Sequence, residues 1–430
     1  MTQERVGLDD LSSHDFSPEV MEMREVPAPQ SPVHPLRLIQ PSFPAPLSDK
    51  AFHGLLGEIV RKIEPHSEAD PAGILIQLLA ALGNAIGPRP FIRVESDSHP
   101  PRINMVAVGE TAKGRKGTSF GYVKRISQMI DPTWTEERFK SGLSSGEGLI
   151  SQLHADDIDK RLLVVESEFA SVLHVIGRQG NTLSALIRQA WDTGDIATLT
   201  KEPLTARGTH ISVIGHITRD ELVRHLSSTE AANGFANRFL WTFVRRSKLL
   251  PEGGHLDWQS MESLVHELRE SVNSAQFVEE VTRDDDARRI WIEHYPSLSE
   301  GSPGLLGAVT GRAEAQVLRL SLIYALLDRS SIIKQPHLEA GLEVWRYAEE
   351  SARYIFGDKT GDRLADDLLS ELRDRRPAWM TRTEIRNHFS KNQRSERIDE
   401  VLILLSRYRK VESETIRDGT GRPTERWRAL

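Results

Sequence analysis

Two short segments of this 430-residue chain consist almost entirely of apolar residues, and they constrain its fold more than any other feature. They lie at positions 103–108 and 162–165. A strand with no polar face must be covered on both sides, as in a parallel sheet flanked by helices. Further β-branched runs at 91–94, 210–214 and 239–244 alternate with helical patterns. The sequence therefore predicts an α/β fold around a parallel sheet.

The composition excludes several classes of protein. The chain has no cysteine, so disulfides, cysteine-bound zinc, iron–sulfur clusters and thiol catalysis are ruled out. No run of about 18 apolar residues occurs, so we expect neither a membrane-spanning helix nor a membrane partner. The N-terminal sequence has neither the basic nor the apolar region of a secretory signal, and a cytoplasmic location is therefore expected.

Composition and periodicity divide the chain into four segments. Residues 1–46 hold eight of the 22 prolines and few large apolar side chains, which favours a disordered arm over a partner-binding tail. Residues 47–250 contain leading helices and the α/β core, and Asp70 and Pro71 are expected to start a buried helix. Residues 251–358 have helical periodicity. The fourth segment, residues 359–430, has a pattern of its own that is described below.

A glycine- and lysine-rich segment, GETAKGRKGTS, follows the apolar run at 103–108 and precedes a predicted helix that starts near 117–120. Glycines let backbone N–H groups curl toward phosphate oxygens at a helix N-terminus, while a lysine neutralises the phosphate charge. The strand before this segment and the helix after it favour a phosphate-binding loop over a solvated basic turn. The predicted nucleotide-binding residues are Gly109, Glu110, Thr111, Ala112, Lys113, Gly114, Arg115, Lys116, Gly117, Thr118 and Ser119.

The match of this loop to the usual pattern G-x4-G-K-[ST] is imperfect. The two glycines have the expected spacing, but Arg115 occupies the lysine position. We therefore predict that Lys116 is the catalytic lysine that contacts phosphate. Thr118 is the expected magnesium ligand, with Ser119 as the second choice. ATP and Mg²⁺ are the predicted cofactors.

Two glutamates follow the apolar run at 162–165, and they supply the carboxylates that ATP hydrolysis needs. An ATPase uses one carboxylate to hold Mg²⁺ through water and another to orient the attacking water. Glu166 is the candidate for the metal, and Glu168 is the candidate for the catalytic task of polarising water. We expect their strand to adjoin the strand that carries the phosphate-binding loop. The alternative for these two glutamates is that they are only solvated side chains at the end of a strand.

Polar residues near other strand ends complete the predicted site. His216 or Thr218, at the tip of a neighbouring strand, fits a sensor of the γ-phosphate, and a structural histidine is the alternative. Arg238 precedes the last apolar run and fits an arginine finger that reaches a neighbouring subunit's nucleotide. Its alternative is an ion pair with an acid of its own chain. Arg312 and Arg319 share a helix face, where a sensed phosphate or a glutamate of the same bundle would balance a buried charge.

In this order the motifs resemble the additional-strand P-loop ATPases, both AAA+ and RecA-like. The blocks VVESEFASVL, HISVIGHIT and NGFANRFLW resemble a poorly characterised P-loop family that plasmids, phages and integrated elements often encode, sometimes beside primases. A looser similarity links the chain to minichromosome-maintenance helicases, although Ser167 stands at the position of their metal-binding aspartate. The resemblance covers roughly residues 50–356 and implies ATP binding, hydrolysis, a helical lid at 251–358 and ring assembly.

The C-terminal segment 359–430 has the order helix, helix, helix, hairpin, which is the order of a winged helix. Residues 375–430 contain 12 arginines and two lysines against eight acidic residues, a net charge of +6 in a chain whose total is −7. A winged helix places its third helix in the major groove, so we expect DNA binding, with a protein-binding winged helix as the alternative. The predicted DNA-binding residues are Arg394, Arg397, Arg407, Arg409, Lys410, Arg417, Arg422 and Arg426.

Together these features predict an oligomeric ATPase that acts on DNA, as a helicase-like, replication or defence motor of a mobile element. The alternative is a DNA-binding regulator or initiator that uses ATP as a switch and hydrolyses it poorly. A third interpretation is a structural adaptor whose phosphate-binding loop is vestigial. Nucleotide binding separates the third interpretation from the other two, and ATP turnover separates the first from the second.

Overall fold

A computed structural model of the chain describes seven ranges of residues. They are 43–111, 114–153, 158–199, 202–302, 304–357, 359–417 and 423–430. Most of the predicted arm at 1–46 lies outside these ranges, and its last residues, 43–46, contain neither helix nor strand.

Helices and strands alternate along the described chain. The α-helices are α1 (Gly54–Ile63), α2 (Pro71–Ile86), α3 (Lys116–Ile130), α4 (Pro132–Arg138), α5 (Gly146–Ser151), α6 (Phe169–Ile176), α7 (Leu183–Asp192), α8 (Arg219–His225), α9 (Ser228–Ala232), α10 (Glu262–Ala275), α11 (Asp285–Ser299), α12 (Gly304–Thr310), α13 (Ala313–Leu327), α14 (Gln335–Phe356), α15 (Arg363–Asp374), α16 (Arg382–His388) and α17 (Ser395–Arg407). The strands are β1 (Ile92–Val94), β2 (Asp97–His99), β3 (Asn104–Gly109), β4 (Phe139–Lys140), β5 (Arg161–Glu166), β6 (Ile196–Ala197), β7 (Thr205–Ala206), β8 (His210–Thr218), β9 (Phe239–Phe243), β10 (Thr282–Arg283), β11 (Ile332–Ile333), β12 (Met380–Thr381), β13 (Val411–Ile416) and β14 (Thr424–Ala429). Among the helices of the described ranges, none combines the length and the apolar character that crossing a bilayer requires.

Five strands form one parallel sheet in the order β4-β5-β8-β3-β9. The predicted α/β fold is confirmed, because both apolar runs are strands of this sheet. The expectation that the acid-bearing strand adjoins the loop-bearing strand is wrong. Instead β8 lies between β3 and β5, pairing Thr218 with Gly109 and Gly215 with Glu166. The backbone groups of the buried β8 are satisfied by a partner on each side, and chain order alone does not reveal this insertion.

The run at 91–94 has a different place from the other predicted strands. Its residues form β1, which pairs with β2 in a separate antiparallel hairpin. The two-residue strand β4 at the edge of the main sheet was not predicted, because so short a segment has no periodicity to detect.

Two hydrophobic layers cover the sheet. The side chains of β3 alternate between them, with Met105 and Ala107 facing one layer and Val106 and Val108 facing the other. The first layer comes mainly from α1, α2, α3, α10, α13 and the first half of α14, and the second from α5, α6, α7 and the end of α14. The helices predicted within 251–358 are therefore present, and α13 and α14 share these layers with the sheet.

Helix α2 is the central element of the first layer, and its residues from Ala72 to Ile86 are all buried. Asp70 caps its N-terminus by accepting a hydrogen bond from the backbone N–H of Ala72 at 3.0 Å. Pro71 occupies the first helical position, where no N–H is needed. Both predicted start signals are confirmed.

The C-terminal elements have a hydrophobic core of their own. The predicted order of three helices and a hairpin is confirmed by α15, α16, α17, β13 and β14. In addition, β12 pairs with β14, giving an antiparallel sheet in the order β12-β14-β13. Val411 and Trp427 of the hairpin pack with Ile398, Val401 and Leu405 of α17 in this core.

Candidate functional site

The loop after β3 lies at the carboxyl edge of the sheet and leads directly into α3. Gly109 ends the strand, and a Cβ atom there would lie 2.9 Å from Lys116 Nζ and 3.1 Å from the carbonyl oxygen of Thr111. Glycine is thus required for the close approach of this lysine. Arg115 has a φ of +55° immediately before α3, which turns the chain into the helix. Two residues of the predicted loop, Ala112 and Lys113, lie outside the described residues.

Lys116 folds back into the loop that precedes it. Its Nζ atom donates a hydrogen bond to the carbonyl oxygen of Thr111 at 3.2 Å, and the residue is only 9% exposed. Burial lowers the pKa of Lys116, while the negative charges of Glu221 and Glu168 oppose that shift. In contrast, Arg115 points away from the loop to an ion pair with Glu68 at 2.6 Å. The geometry therefore brings the Lys116 ammonium, and not the Arg115 guanidinium, to the loop interior.

The two candidate hydroxyl groups at the start of α3 have different surroundings. Thr118 is exposed, whereas Ser119 is 3% exposed. The Ser119 hydroxyl donates to the carbonyl oxygen of Lys116 at 2.6 Å and accepts from Gln77 Nε2 at 2.7 Å. Ser119 is therefore engaged in holding α3 to α2, and Thr118 is the hydroxyl that a ligand in the loop can reach from solvent.

The two glutamates after β5 diverge. Glu166 is buried at the strand end, and its Oε1 atom accepts a hydrogen bond from the backbone N–H of Leu143 at 2.7 Å. Glu168 is exposed immediately before α6, and its charge acts on Lys116 across the intervening β8. The structure thus brings Glu168 into the electrostatic environment of the loop, while Glu166 anchors the segment that follows β4.

The predicted sensor residues both lie on β8, beside the loop strand. The Thr218 hydroxyl caps α8, donating to Glu221 Oε2 at 2.7 Å and accepting from the Glu221 backbone N–H at 3.3 Å. His216 is 4% exposed, and its Nε2 atom hydrogen-bonds Gln77 Oε1 at 2.9 Å. Burial, with the nearby Lys116 charge, lowers the pKa of His216 to about 4, so the ring is neutral at physiological pH. Both side chains have partners within their own chain.

Several residues near the loop were missed by sequence analysis. Arg219 lies over the ring of Tyr354, with its guanidinium carbon 4.9 Å from the ring centroid. The Tyr354 hydroxyl in turn donates to Glu110 in the loop at 2.5 Å. Glu221 could have been found from the T-x-x-E capping pattern after the strand. Arg219 is the first residue of the same helix, α8, and Tyr354 comes from the distant α14; no local pattern marks either of them.

Three of the predicted arginines meet at the opposite, amino edge of the sheet. Arg238, 5% exposed, forms an ion pair with Asp192 at 2.5 Å, and Arg312 approaches the same carboxylate at 3.5 Å. Arg238 therefore forms an ion pair with an acid of its own chain, which was the alternative expectation for this residue. Strand β3 separates this edge from the loop by six residues, roughly 20 Å of extended chain. A ligand in the loop is out of reach of these arginines in the same chain.

Arg319 has neither a glutamate nor any other carboxylate as its hydrogen-bond partner among the described residues. Its guanidinium lies 3.6 Å from the centroid of the Trp191 ring and donates to the carbonyl oxygens of Arg102 and Trp191 at 3.1 and 3.0 Å. The expectation that a glutamate of the same bundle balances Arg319 is therefore wrong. Carbonyl oxygens and an aromatic face satisfy this buried cation instead. Burial holds the pKa of Arg319 well below its ordinary value.

The predicted DNA-binding residues differ in their exposure and in their partners. Arg397 pairs with Asp362 and with Glu400, and Arg426 pairs with Glu414, so their charges are already balanced. Lys410 is partly buried. The exposed ones are Arg394, Arg407, Arg409 and Arg417, and Arg422 lies outside the described residues.

The outward face of α17 is acidic in its first half. Glu396, Asp399 and Glu400 are exposed there, followed by Ile403, whose side chain is 63% exposed. Asp399 pairs with Arg382 and Glu400 pairs with Arg397, so arginines already balance two of these carboxylates. The face still presents acidic groups and an apolar side chain, and carboxylates repel the phosphates that line a DNA groove.

One group of potential metal ligands lies elsewhere, where α1 meets the turn between α13 and α14. Asp328 Oδ2 is 2.7 Å from His53 Nε2 and 3.1 Å from His337 Nε2. The backbone N–H of Lys334 donates to His337 Nδ1 at 3.0 Å, which places the ring proton on Nε2. That proton points at Asp328, so His337 acts as a hydrogen-bond donor and is not set up as a metal ligand.

Comparison with known proteins adds no further assignment. The sequence matches no protein-family model and no curated protein. The geometry of the carboxyl edge is therefore the basis for inferring a function.

Proposed function

We propose that the protein is an additional-strand P-loop ATPase that binds ATP and Mg²⁺ at residues 109–119. One observation carries the proposal: at the carboxyl edge, a Gly109–Gly114 loop leads into α3 and holds the Lys116 ammonium at its interior. The strand order supports it, because β8 is inserted between the loop strand and the acid strand, the arrangement for which the class is named. Kinship with the mobile-element P-loop family is part of the same proposal.

In the proposed reaction, water attacks the γ-phosphorus in line, the bond to the β–γ bridging oxygen breaks, and ADP leaves. Lys116 gives up its bond to Thr111 and neutralises the β- and γ-phosphate oxygens. Thr118 and Glu166 are the residues that would hold Mg²⁺, which would supply positive charge to the phosphates. Glu166 could do so while keeping its hydrogen bond from Leu143, since a carboxylate has several acceptor positions. Glu168 orients the attacking water.

We further propose that the active form is an oligomer in which a neighbouring chain completes each site. Arg238 lies too far from the loop of its own chain to serve that loop. Its ion pair with Asp192 holds the cation in one position, and Arg312 shares that carboxylate. In an oligomer, Arg238 released from Asp192 spreads the transition-state charge of the adjacent nucleotide.

The C-terminal elements are proposed to be a winged helix that contacts DNA through backbone phosphates. The exposed cations Arg394, Arg407, Arg409 and Arg417 support phosphate contacts. A protein partner is the second candidate, and the exposed carboxylates of α17 with Ile403 are the observation that favours it. ATP turnover would then move DNA or remodel a replication or defence assembly of a mobile element.

Steady-state ATP hydrolysis with and without DNA tests this function. The wild-type rate should exceed background, and Lys116→Ala and Glu168→Gln should each remove it. Lys124→Ala is the matched control, because Lys124 is an exposed lysine of the same helix. Binding of ATP without turnover would favour the regulator that uses ATP as a switch. Absence of nucleotide binding would leave only the structural adaptor.

A further inference from the structure

A pocket of about 360 Å³ lies between α3 and the segment after β9. Its lining residues are Tyr122, Gly254, His255, Leu256, Asp257 and Trp258. We propose that this pocket receives the purine base and ribose of the nucleoside triphosphate. The inference rests on the proposed function, since it assumes that the phosphates are held by the loop at 109–119.

The pocket and the loop are neighbours on the same helix. Lys116 is the first residue of α3 and Tyr122 follows six residues later, which is roughly 9 Å along the helix axis. A second segment touches both places: Glu68 pairs with Arg115 at 2.6 Å, and the carbonyl oxygen of His66 accepts from the Tyr122 hydroxyl at 3.0 Å. A nucleotide anchored at Lys116 can therefore extend along α3 to the pocket.

Two aromatic rings, those of Tyr122 and Trp258, line the pocket. They stack on one another, with centroids 6.2 Å apart and an angle of 28° between their planes. Beside the lining, the guanidinium carbon of Arg125 lies over the Trp258 ring, 4.2 Å from its centroid. Aromatic rings and guanidinium planes are the surfaces on which nucleic-acid bases stack. His255 and Asp257 at the rim add polar groups for the edge of a base and for ribose hydroxyls.

Two glycines keep the path between loop and pocket open. Gly117 and Gly121 are exposed, lie one turn apart on α3, and would place a Cβ atom in open space with no protein atom within 4 Å. Glycine inside a helix is less stable than alanine, and neither position has the left-handed φ that would require it. Protein packing therefore does not explain why these two positions are glycine. A ribose and base lying against the helix surface would explain it, because they need the space that a side chain would fill.

Isothermal titration of the full chain with ATP and with inorganic tripolyphosphate, both with Mg²⁺, tests the inference. Tripolyphosphate measures the loop alone, and ATP measures loop and pocket together. ATP should bind more tightly, and Trp258→Ala should weaken ATP at least fivefold while tripolyphosphate changes less than twofold. Gly121→Leu should have the same selective effect, because its side chain starts in open space on the surface of α3. Gln128→Leu, exposed further along α3, is the matched control.

The outcomes separate this inference from the proposed function. If Trp258→Ala and Gly121→Leu leave both affinities unchanged, or weaken both equally, the base pocket is overturned while phosphate binding stands. If Tyr354→Ala lowers the ratio of the two affinities instead, the base lies against the Phe43–Tyr354 ring pair near Glu110, whose centroids are 4.7 Å apart, and the pocket is again overturned. If the wild type binds neither compound, the proposed function fails and the inference fails with it.

Discussion

Lys116 Nζ donates a hydrogen bond to the carbonyl oxygen of Thr111, 3.2 Å away, within the loop that it is proposed to share with phosphate. The ammonium thus has a carbonyl oxygen of its own loop as its acceptor. In the proposed complex, a phosphate oxygen replaces that acceptor. Lys116→Ala should weaken ATP binding about tenfold to a hundredfold, because a charge-assisted hydrogen bond is lost. Titration calorimetry measures this effect. Equal affinities for the variant and the wild type would exclude a phosphate role for this lysine.

The different surroundings of Ser119 and Thr118 predict opposite behaviour on substitution. Ser119→Ala leaves a buried N–H of Gln77 without its acceptor and should lower the free energy of unfolding by about 1–3 kcal/mol. Thr118→Ala should change stability by less than about 0.5 kcal/mol, since the residue is exposed, but should weaken the dependence of ATP binding on Mg²⁺. Urea unfolding and titrations at varied Mg²⁺ distinguish the two. A loss of Mg²⁺ dependence only in Ser119→Ala would reverse the assignment.

His216 predicts a pH dependence of stability with a definite sign. Burial, helped by Lys116, lowers the pKa of His216 to about 4, against 6.5 in the unfolded chain. Between these values the unfolded chain binds more protons, so the free energy of unfolding should fall as the pH drops from 6.5 toward 4. The contribution of this group is up to about 3 kcal/mol. His216→Gln should reduce the slope, whereas the exposed His266→Gln should leave it unchanged.

Asp192 balances the charges of two arginines at the amino edge, and its removal should be destabilising. Asp192→Asn leaves the buried Arg238 without a counter-ion and should lower the free energy of unfolding by about 3 kcal/mol. Adding Arg238→Met to this variant should restore part of the loss, because the uncompensated charge is then gone. Thermal or urea unfolding of the single and double variants measures both changes. A double variant less stable than Asp192→Asn would refute this explanation.

The ion pairs of the C-terminal elements predict which arginines affect DNA binding. Arg407→Ala removes an exposed cation and should lower the slope of log affinity against log salt by about one unit. Arg397→Ala should leave that slope unchanged, since Asp362 and Glu400 already balance its charge. Fluorescence anisotropy with duplex DNA at several salt concentrations gives the slopes. If neither substitution matters, and Ile403→Ala abolishes capture of a protein partner, the second candidate is favoured.

Local signals in this sequence predicted local structure well. The cap at Asp70, the first-turn Pro71 and the apolar strand at 103–108 each depend on neighbours in the chain, and all three are observed. The helical segments and the C-terminal order of elements follow from periodicity for the same reason. The two-residue strands β4 and β12 have no such pattern, and they were missed.

Relationships between distant residues were beyond sequence reasoning. The insertion of β8 between β3 and β5 depends on the path of the crossover connections. The ion pair between Arg238 and Asp192 joins residues 46 positions apart, and the partners of Arg319 are carbonyl oxygens that no motif marks. The choice between Thr118 and Ser119 depends on exposure, which is decided by the packing of α2 against α3.

A structure of the protein with a non-hydrolysable ATP analogue and Mg²⁺ would show whether the loop at 109–119 binds nucleotide. We expect the β- and γ-phosphates to lie between Gly109 and Gly114, with Lys116 Nζ released from Thr111 and within hydrogen-bonding distance of a phosphate oxygen. A nucleotide bound elsewhere, with the Lys116–Thr111 hydrogen bond intact, would contradict it.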